Sequence, residues 1–204
     1  ETFAQCGLPA GVFAHLRKQL GPEAAPFAVQ KQAIPALMCG RDVIAVAKTG
    51  SGKTFAYLLP AVRHAADQPP VLDGAQGPIV LVMAPARELA LQIAREAKHV
   101  FGAVHSVLQD DAAAAFGREK KKLHVRQMRC ACVYGGAPVA EQIADLKRGA
   151  EIVVATPGRL IDLLTMQQGR MLSLTRVSFV VLDEADRMYD MGFEPQIAQV
   201  LRNA

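Results

Sequence analysis

Apolar and polar positions follow two rhythms along this chain. Five short runs, "DVIAVA" (Asp42 to Ala47), "PIVLVMA" (Pro78 to Ala84), "MRCACVY" (Met128 to Tyr134), "EIVVA" (Glu151 to Ala155) and "VSFVVLD" (Val177 to Asp183), are nearly unbroken and too short for helices, the first of them rich in β-branched residues. Between them, "KTFAYLLPAVRHAA" (Lys53 to Ala66), "RELALQIAREAKHVF" (Arg87 to Phe101) and "PVAEQIADLKRG" (Pro138 to Gly149) repeat apolar residues at helical spacing. Strands with little polar alternation are buried on both faces. Alternated with helices, they predict an α/β fold with a parallel sheet and helices on both faces. Two amphipathic helices, "AGVFAHLRKQL" and "VQKQAIPALMCG", are expected ahead of the first strand. The stretch from about 104 to 127 is polar, Ala-rich and basic by turns, and reads as an insertion. Its Arg118, Lys120, Lys121 and Lys122 suit either nucleic acid or a solvated face.

Composition narrows the class only a little. Hydrophobic residues make up 51% and charged residues 21% of 204 residues, enough for one core or slightly more. No apolar run approaches the roughly 18 residues of a membrane span, and the N-terminus shows no basic-then-apolar signal segment. The net charge of +4 is compatible with a polyanionic partner without requiring one. The four cysteines, Cys6, Cys39, Cys130 and Cys132, contain no CxxC pair, and alternation along a strand puts Cys130 and Cys132 on one face. Reduced thiols of an intracellular protein are expected rather than a metal framework.

The first candidate chemistry is "AKTGSGKT", Ala47 to Thr54. A phosphate-binding loop turns successive backbone N–H groups around a polyphosphate and aims a helix N-terminus at the same anion. Gly50 and Gly52 supply the conformational freedom, while Lys48, Thr49 and Ser51 complete the cradle. Lys53 is expected to reach the β and γ phosphates, and the Thr54 hydroxyl to complete the shell of a magnesium ion. Alanine stands at 47 where the pattern has glycine, which is tolerable if the chain there needs no positive φ. The order of strand, loop and helix is the one the motif requires.

Such a loop serves kinases, G proteins and motor ATPases alike. "VVLDEAD" adds Asp183 and Glu184 at the C-terminal end of a buried strand. There Asp183 can hold magnesium, usually through water, and Glu184 can orient an attacking water. Plain helix capping is the alternative.

Together these motifs resemble the DEAD-box family of ATP-dependent RNA helicases. "DEAD" itself is Asp183 to Asp186, and "PARELA" (Pro85 to Ala90), "YGG" (Tyr134 to Gly136), "TPGR" (Thr156 to Arg159) and "RMYDMGF" (Arg187 to Phe193) occur in family order. "DLKRGAEIVVATPGRLIDLLT", "VVLDEADRMYDMGFEPQI" and "FAQCG" resemble the splicing branch, whose members remodel the small nuclear ribonucleoprotein at the intron branch site. That likeness implies a nuclear protein acting with spliceosomal proteins.

The resemblance implies a RecA-like P-loop NTPase domain over 41–204 with a lead-in at 1–40. It implies ATP and magnesium as cofactors and RNA as a partner held by its backbone. Gln30 in "PFAVQ" matches the glutamine that reads adenine, a carboxamide being donor and acceptor at once. Phe3 matches the upstream aromatic that stacks on the base; a core anchor at 3 and a surface glutamine at 30 are the alternatives. Phe27 stands where the family has threonine, so a local hydroxyl hydrogen bond is expected to be missing. Pro85, Arg87, Gly135, Gly136, Thr156, Pro157, Gly158 and Arg159 match RNA-contacting positions, with Thr156 as helix cap and Pro157 at the first helical position. Taken alone, "TPGR" is better accounted for by a plain cap, and a plain turn accounts for Gly135 and Gly136 equally well. Ala86 replaces a family threonine, at the cost of one hydroxyl contact. Asp186 falls at the position that couples to a second RecA-like domain.

The family continues with a Ser-Ala-Thr strand and that second domain, which carries arginine fingers; this chain ends at Ala204 before either. By resemblance the next strand lies between those of the phosphate loop and the DEAD box. The chain is therefore expected to be a piece of a longer protein, or else poorly stable alone, with negligible turnover of its own. Unequal melting of this chain and one extended through that strand is the expected result of differential scanning, and equal cooperative melting would count against it. A G protein needs Asn-Lys-x-Asp, yet the one asparagine is Asn203, followed by Ala204. A small-molecule kinase does not account for the motif series, and a non-enzymatic RNA- or protein-binding platform on the same fold is the remaining alternative.

Overall fold

Four of the five apolar runs are strands. In the computed structural model, which describes residues 3–6, 13, 16–18, 21, 25–69, 71, 77–116, 128–166 and 171–204, they form β1 (Val80–Met83), β2 (Cys130–Val133), β3 (Ile152–Ala155) and β4 (Phe179–Leu182). The sheet is parallel throughout, in the order β2-β3-β1-β4. The helices are α1 (Ala28–Met38), α2 (Lys53–Asp67), α3 (Arg87–Phe116), α4 (Val139–Lys147), α5 (Pro157–Thr165), α6 (Ala185–Asp190) and α7 (Glu194–Leu201), with a short 3-10 turn at Phe3–Cys6. Of the expected helix over 10–20, only 13 and 16–18 are described, and they are helical.

The chain clusters into two compact units, Glu1–His64 with His99–Gln127, and Ala65–Lys98 with Met128–Ala204. The second holds the sheet. Leu81, Met83, Ala131, Val133, Val153 and Ala155 share one cluster with Leu146, Leu160, Leu163, Met188, Ile197 and Val200 of the helices that follow the strands. The alternate strand residues Val80, Val82, Ile152 and Val154 are fully buried too, so both sheet faces are covered. β4 is the edge strand beside β1, and its Val180 is exposed.

The expected first strand does not form. Residues 41–47 carry no strand pairing, and Ile44 and Val46 are 95% and 94% exposed. β-branched letters favour an extended backbone, but a strand exists only where a neighbour takes its N–H and C=O groups; among the described residues none does so here. The stretch read as an insertion is in part a continuation of α3, which runs unbroken to Phe116. The basic residues at 118 and 120–122 lie outside the described residues.

β2 carries Cys130, which is buried, and Cys132, which is partly so; Cys39 is exposed. Burial pushes the Cys130 thiol up to about 12, helped by neighbouring Cys132 and opposed by Lys98. Burial likewise raises Cys132 to about 11, again against Lys98. Neutral thiols are poor nucleophiles, so at pH 8 a disulfide reagent is expected to modify Cys39 at once and Cys130 only on unfolding. Because both folded values exceed the unfolded value, this contribution to stability is intact below about pH 9. It is lost as pH rises through 11 to 12. A denaturation series from pH 7 to 11 is expected to show stability falling only above 9.

Candidate functional site

Parallel strands in common register end together. Val133 and Ala155 pair, Ala155 aligns with Met83, and Met83 aligns with Leu182. The next residues are stitched across at the same level, with Thr156 N–H donating to Val133 O, Ala84 N–H to Ala155 O and Asp183 N–H to Met83 O, each at 2.9 Å. The segments that open "YGG", "TPGR", "PARELA" and "DEAD" therefore emerge along one carboxyl edge, where open α/β sheets place their ligands.

Along that edge the turn Tyr134 to Ala137 is the meeting point. The exposed guanidinium of Arg87 lies over the Tyr134 ring at 4.8 Å and its Nη1 donates to Gly136 O at 3.4 Å. Arg159 donates through both Nη1 and Nη2 to Ala137 O, at 3.2 and 3.3 Å, and its Nε lies 3.6 Å from Asp162 Oδ2. Its side chain is only 14% exposed, so much of the charge expected to meet RNA is directed at the turn. Gly136 has φ +75°, a conformation that favours glycine, and Gly135, Gly136 and Gly158 are all exposed. Pro85 and Pro157 are buried, which leaves them a backbone role rather than a contact through the ring.

Thr156 caps α5 with extended backbone and Pro157 sits at the first helical position, as expected, although the threonine side chain makes no capping hydrogen bond. Thr156 N–H is spent on β2, Pro157 has none, and Leu160 N–H bonds Thr156 O at 3.1 Å. By helix geometry the Gly158 and Arg159 amides are then the first open donors.

Asp183 is buried at 8% exposed, and its Oδ1 accepts the Glu184 N–H at 3.0 Å. Glu184 has φ +51° and ψ +49°, and is the one non-glycine residue with positive φ among those described. Its Oε2 meets Arg187 Nη1 at 3.3 Å. Asp186 is exposed and accepts the Arg187 N–H at 2.9 Å.

The phosphate loop belongs to the other unit and has its own local frame. Gly52 caps α2, its carbonyl accepting Ala56 N–H at 3.2 Å and Gln30 Nε2 at 3.0 Å. Gln30 Oε1 in turn accepts the Phe27 N–H at 2.9 Å, the return half of a capping box. Phe27 has no oxygen to supply the other half, and the expected missing hydrogen bond is indeed missing. Gln30 is 2% exposed, so it braces the loop as well as being the adenine candidate; a second lone pair and a second N–H remain on its amide. Phe3 is 2% exposed and offers no open face for stacking, whereas Phe27 is 55% exposed.

Two features of the loop fit a polyphosphate. Gly50 and Gly52 have φ +76° and +84°, and the buried Ser51 Oγ has no partner among the described residues. Ala47 keeps negative φ, as its methyl group requires. Lys53 Nζ donates to Ala47 O and, at 3.4 Å, to Lys48 O, so it must leave these carbonyls to reach an anion. Thr54 follows in the first turn of α2, and Lys48 and Thr49 are exposed. The hydroxyl of Thr54 in one unit and the carboxylate of Asp183 in the other are each, by themselves, oxygen donors of the kind magnesium takes. Among the described residues no three of His, Cys, Asp and Glu gather as a metal-ligand set, and no helix is long and apolar enough to cross a membrane.

The sequence reading missed three features. These are the bracing role of Gln30, the left-handed backbone at Glu184, and the pairing of Arg87 with Tyr134, residues far apart in the chain.

Comparison with known proteins agrees with the geometry. A family described as "DEAD/DEAH box helicase" matches residues 27–204. The pre-mRNA-processing ATP-dependent RNA helicase PRP5 of Mycosarcoma maydis is 51% identical over 98% of this chain and 15% of its own length. Prp11 of Schizosaccharomyces pombe is 50% identical over 99% of this chain and 18% of its own, and the probable ATP-dependent RNA helicase DDX46 of Danio rerio 49% over 100% and 18%. The chain thus spans under a fifth of these relatives. The RNA helicase Prp28 of Chaetomium thermophilum bound to ADP superposes with a TM-score of 0.77 at 34% identity, over 98% of this chain and 42% of that one.

Proposed function

Because this chain belongs to the DEAD/DEAH box helicase family, we propose that it is the first RecA-like motor domain of an ATP-dependent RNA helicase that remodels ribonucleoprotein in nuclear pre-mRNA splicing. The observation that carries the reading is the single carboxyl edge on which β1 to β4 present "PARELA", "YGG", "TPGR" and "DEAD". About 50% identity to splicing helicases over the whole chain supports the pathway.

In this reading the loop amides of Lys48 to Gly52 and the N-terminus of α2 bind the polyphosphate, and Lys53 swings from the Ala47 and Lys48 carbonyls onto it. Gln30 supplies its remaining donor and acceptor to adenine and so excludes guanine. Phe3, if it is to stack on the base, has to leave its buried position. By resemblance to the family, Thr54 and Asp183 would each supply an oxygen to magnesium, which would offset the charge on the phosphate oxygens. Glu184 orients the attacking water. Asp186, being exposed, is free to engage the second RecA-like domain.

RNA lies along the exposed Arg87, Gly135 and Gly136 and the open amides at Gly158 and Arg159. Such contacts to phosphate and ribose carry no base information, so binding is expected to be indifferent to sequence and strongly salt-dependent.

The test is nucleotide turnover by the full-length protein with and without RNA, ATP beside GTP. Hydrolysis of ATP alone, stimulated by RNA, is the expected result. Turnover that is absent, or that ignores RNA, would transfer the assignment to a non-enzymatic binding platform.

A further inference from the structure

The nucleic-acid reading leaves Tyr134, at the head of the turn along this edge, without a role. We propose that Tyr134 is a positioning residue for RNA binding, its ring holding the Arg87 guanidinium at the carboxyl edge of the sheet. This rests on the proposal that the edge binds RNA.

Two contacts from one buried side chain make Tyr134 a fixed platform. Its backbone is clasped from both sides by one side chain: Tyr134 N–H donates to Gln142 Oε1 at 3.1 Å, and Gln142 Nε2 donates back to Tyr134 O at 3.0 Å. Gln142 is buried on α4, so this two-point clasp ties the loop to the rigid body of the unit. On that base the ring takes Arg87 at 4.8 Å, a cation over an aromatic face. The next residues finish the arrangement, Gly136 O receiving Arg87 Nη1 and Ala137 O receiving Arg159.

The consequence follows from side-chain entropy. An exposed arginine at a helix start samples many rotamers, and ordering it on a phosphate costs part of the binding free energy. A guanidinium already stacked on Tyr134 keeps donors open on its free edge while its rotamer is largely chosen. Tyr134 therefore raises RNA affinity through Arg87, without itself touching RNA.

A double-mutant cycle in the full-length protein tests this. The readout is fluorescence anisotropy of a labelled single-stranded oligouridine, with non-hydrolysable ATP present and salt titrated. Tyr134→Leu is expected to weaken RNA binding about two- to fivefold, the range for an exposed cation–π contact, and Tyr134→Phe to restore most of it. In an Arg87→Ala background Tyr134→Leu is expected to have no further effect. Arg87→Ala alone is expected to lower the salt slope by about 0.7, the share of one phosphate contact to a single strand. If Arg87→Ala leaves RNA binding and salt slope unchanged, the edge does not bind RNA through Arg87, and both the surface reading and this inference fall. If Arg87→Ala weakens binding but Tyr134→Leu weakens it equally in both backgrounds, or Phe is no better than Leu, the positioning role alone is overturned.

Discussion

Gly52→Ala is expected to weaken ATP binding by tenfold or more, well beyond Gly50→Ala in the same loop. A Cβ at 52 would stand 2.5 Å from Gln30 Nε2 and 2.7 Å from Phe27 Cδ2, with Gln30 Cδ a further contact at 3.3 Å; at Gly50 it would meet nothing within 4 Å. Both positions have positive φ, so both variants bear the left-handed backbone penalty of about 1–2 kcal/mol. The difference lies in what must move. Gln30 is the far end of a flexible side chain and could turn away, but its Oε1 is tied to Phe27 N–H and its Nε2 to the Gly52 carbonyl. Turning it breaks the brace between α1 and the loop and displaces the amide proposed to read adenine together with it. Displacement worth about 1.4 kcal/mol or more at that point gives the tenfold loss. Titration of a fluorescent ATP analogue against both variants decides the matter, with thermal melts of each to report the backbone penalty. Equal affinities for Gly50→Ala and Gly52→Ala would remove Gln30 and Phe27 from the account of this loop.

What was legible in the letters depended on whether a feature belongs to one segment or to two. The runs at 80–83, 130–133, 152–155 and 179–182 are apolar enough to be strands in any buried setting, and all four are. "DVIAVA" has the same composition, yet its backbone has no partner among the described residues and Ile44 and Val46 face solvent. Strandedness is a relation, and one side of it does not carry the other. The continuation of α3 to Phe116 was hidden for a different reason: the stretch from about 104 is polar, Ala-rich and basic by turns and so reads as an insertion, whereas the alanines at 112–115 within it are the strongest helix formers available. At the site, the motifs located the loops, but letters 47 apart could not show that Tyr134 lies under Arg87. Nor did Gln30 announce that its amide is shared with Gly52, because that contact joins positions 22 apart.

The backbone of Glu184 sets up the second large effect. Glu184→Gln is expected to reduce RNA-stimulated turnover of the full-length protein by roughly 10²–10⁴, the usual share of a positioned acid–base group, with ATP and RNA binding retained. The carboxamide matches the carboxylate in shape but cannot take a proton from water, so binding and chemistry separate in this variant. Two further substitutions then isolate the strain. Alanine and glycine at 184 both lose the carboxylate and its ion pair with Arg187, a largely exposed contact worth well under about 1 kcal/mol. They differ only in how they bear φ +51° and ψ +49°. Glycine escapes a left-handed penalty of about 1–2 kcal/mol and gives back about 0.5–1 kcal/mol as added freedom of the unfolded chain. Glu184→Gly is therefore expected to be more stable than Glu184→Ala by about 1 kcal/mol, reversing the order these residues show in ordinary helices, while both are as inactive as the glutamine variant. Denaturant melts measure the first difference and turnover the second. Alanine matching glycine in stability would mean that the backbone relaxes without cost and no strain is held at this position. Turnover by Glu184→Gln within tenfold of wild type would take the water-orienting role away from Glu184. With both expected results in hand, the left-handed turn after β4 is a constraint retained at a cost in stability, because it aims a carboxylate that the fold itself does not need.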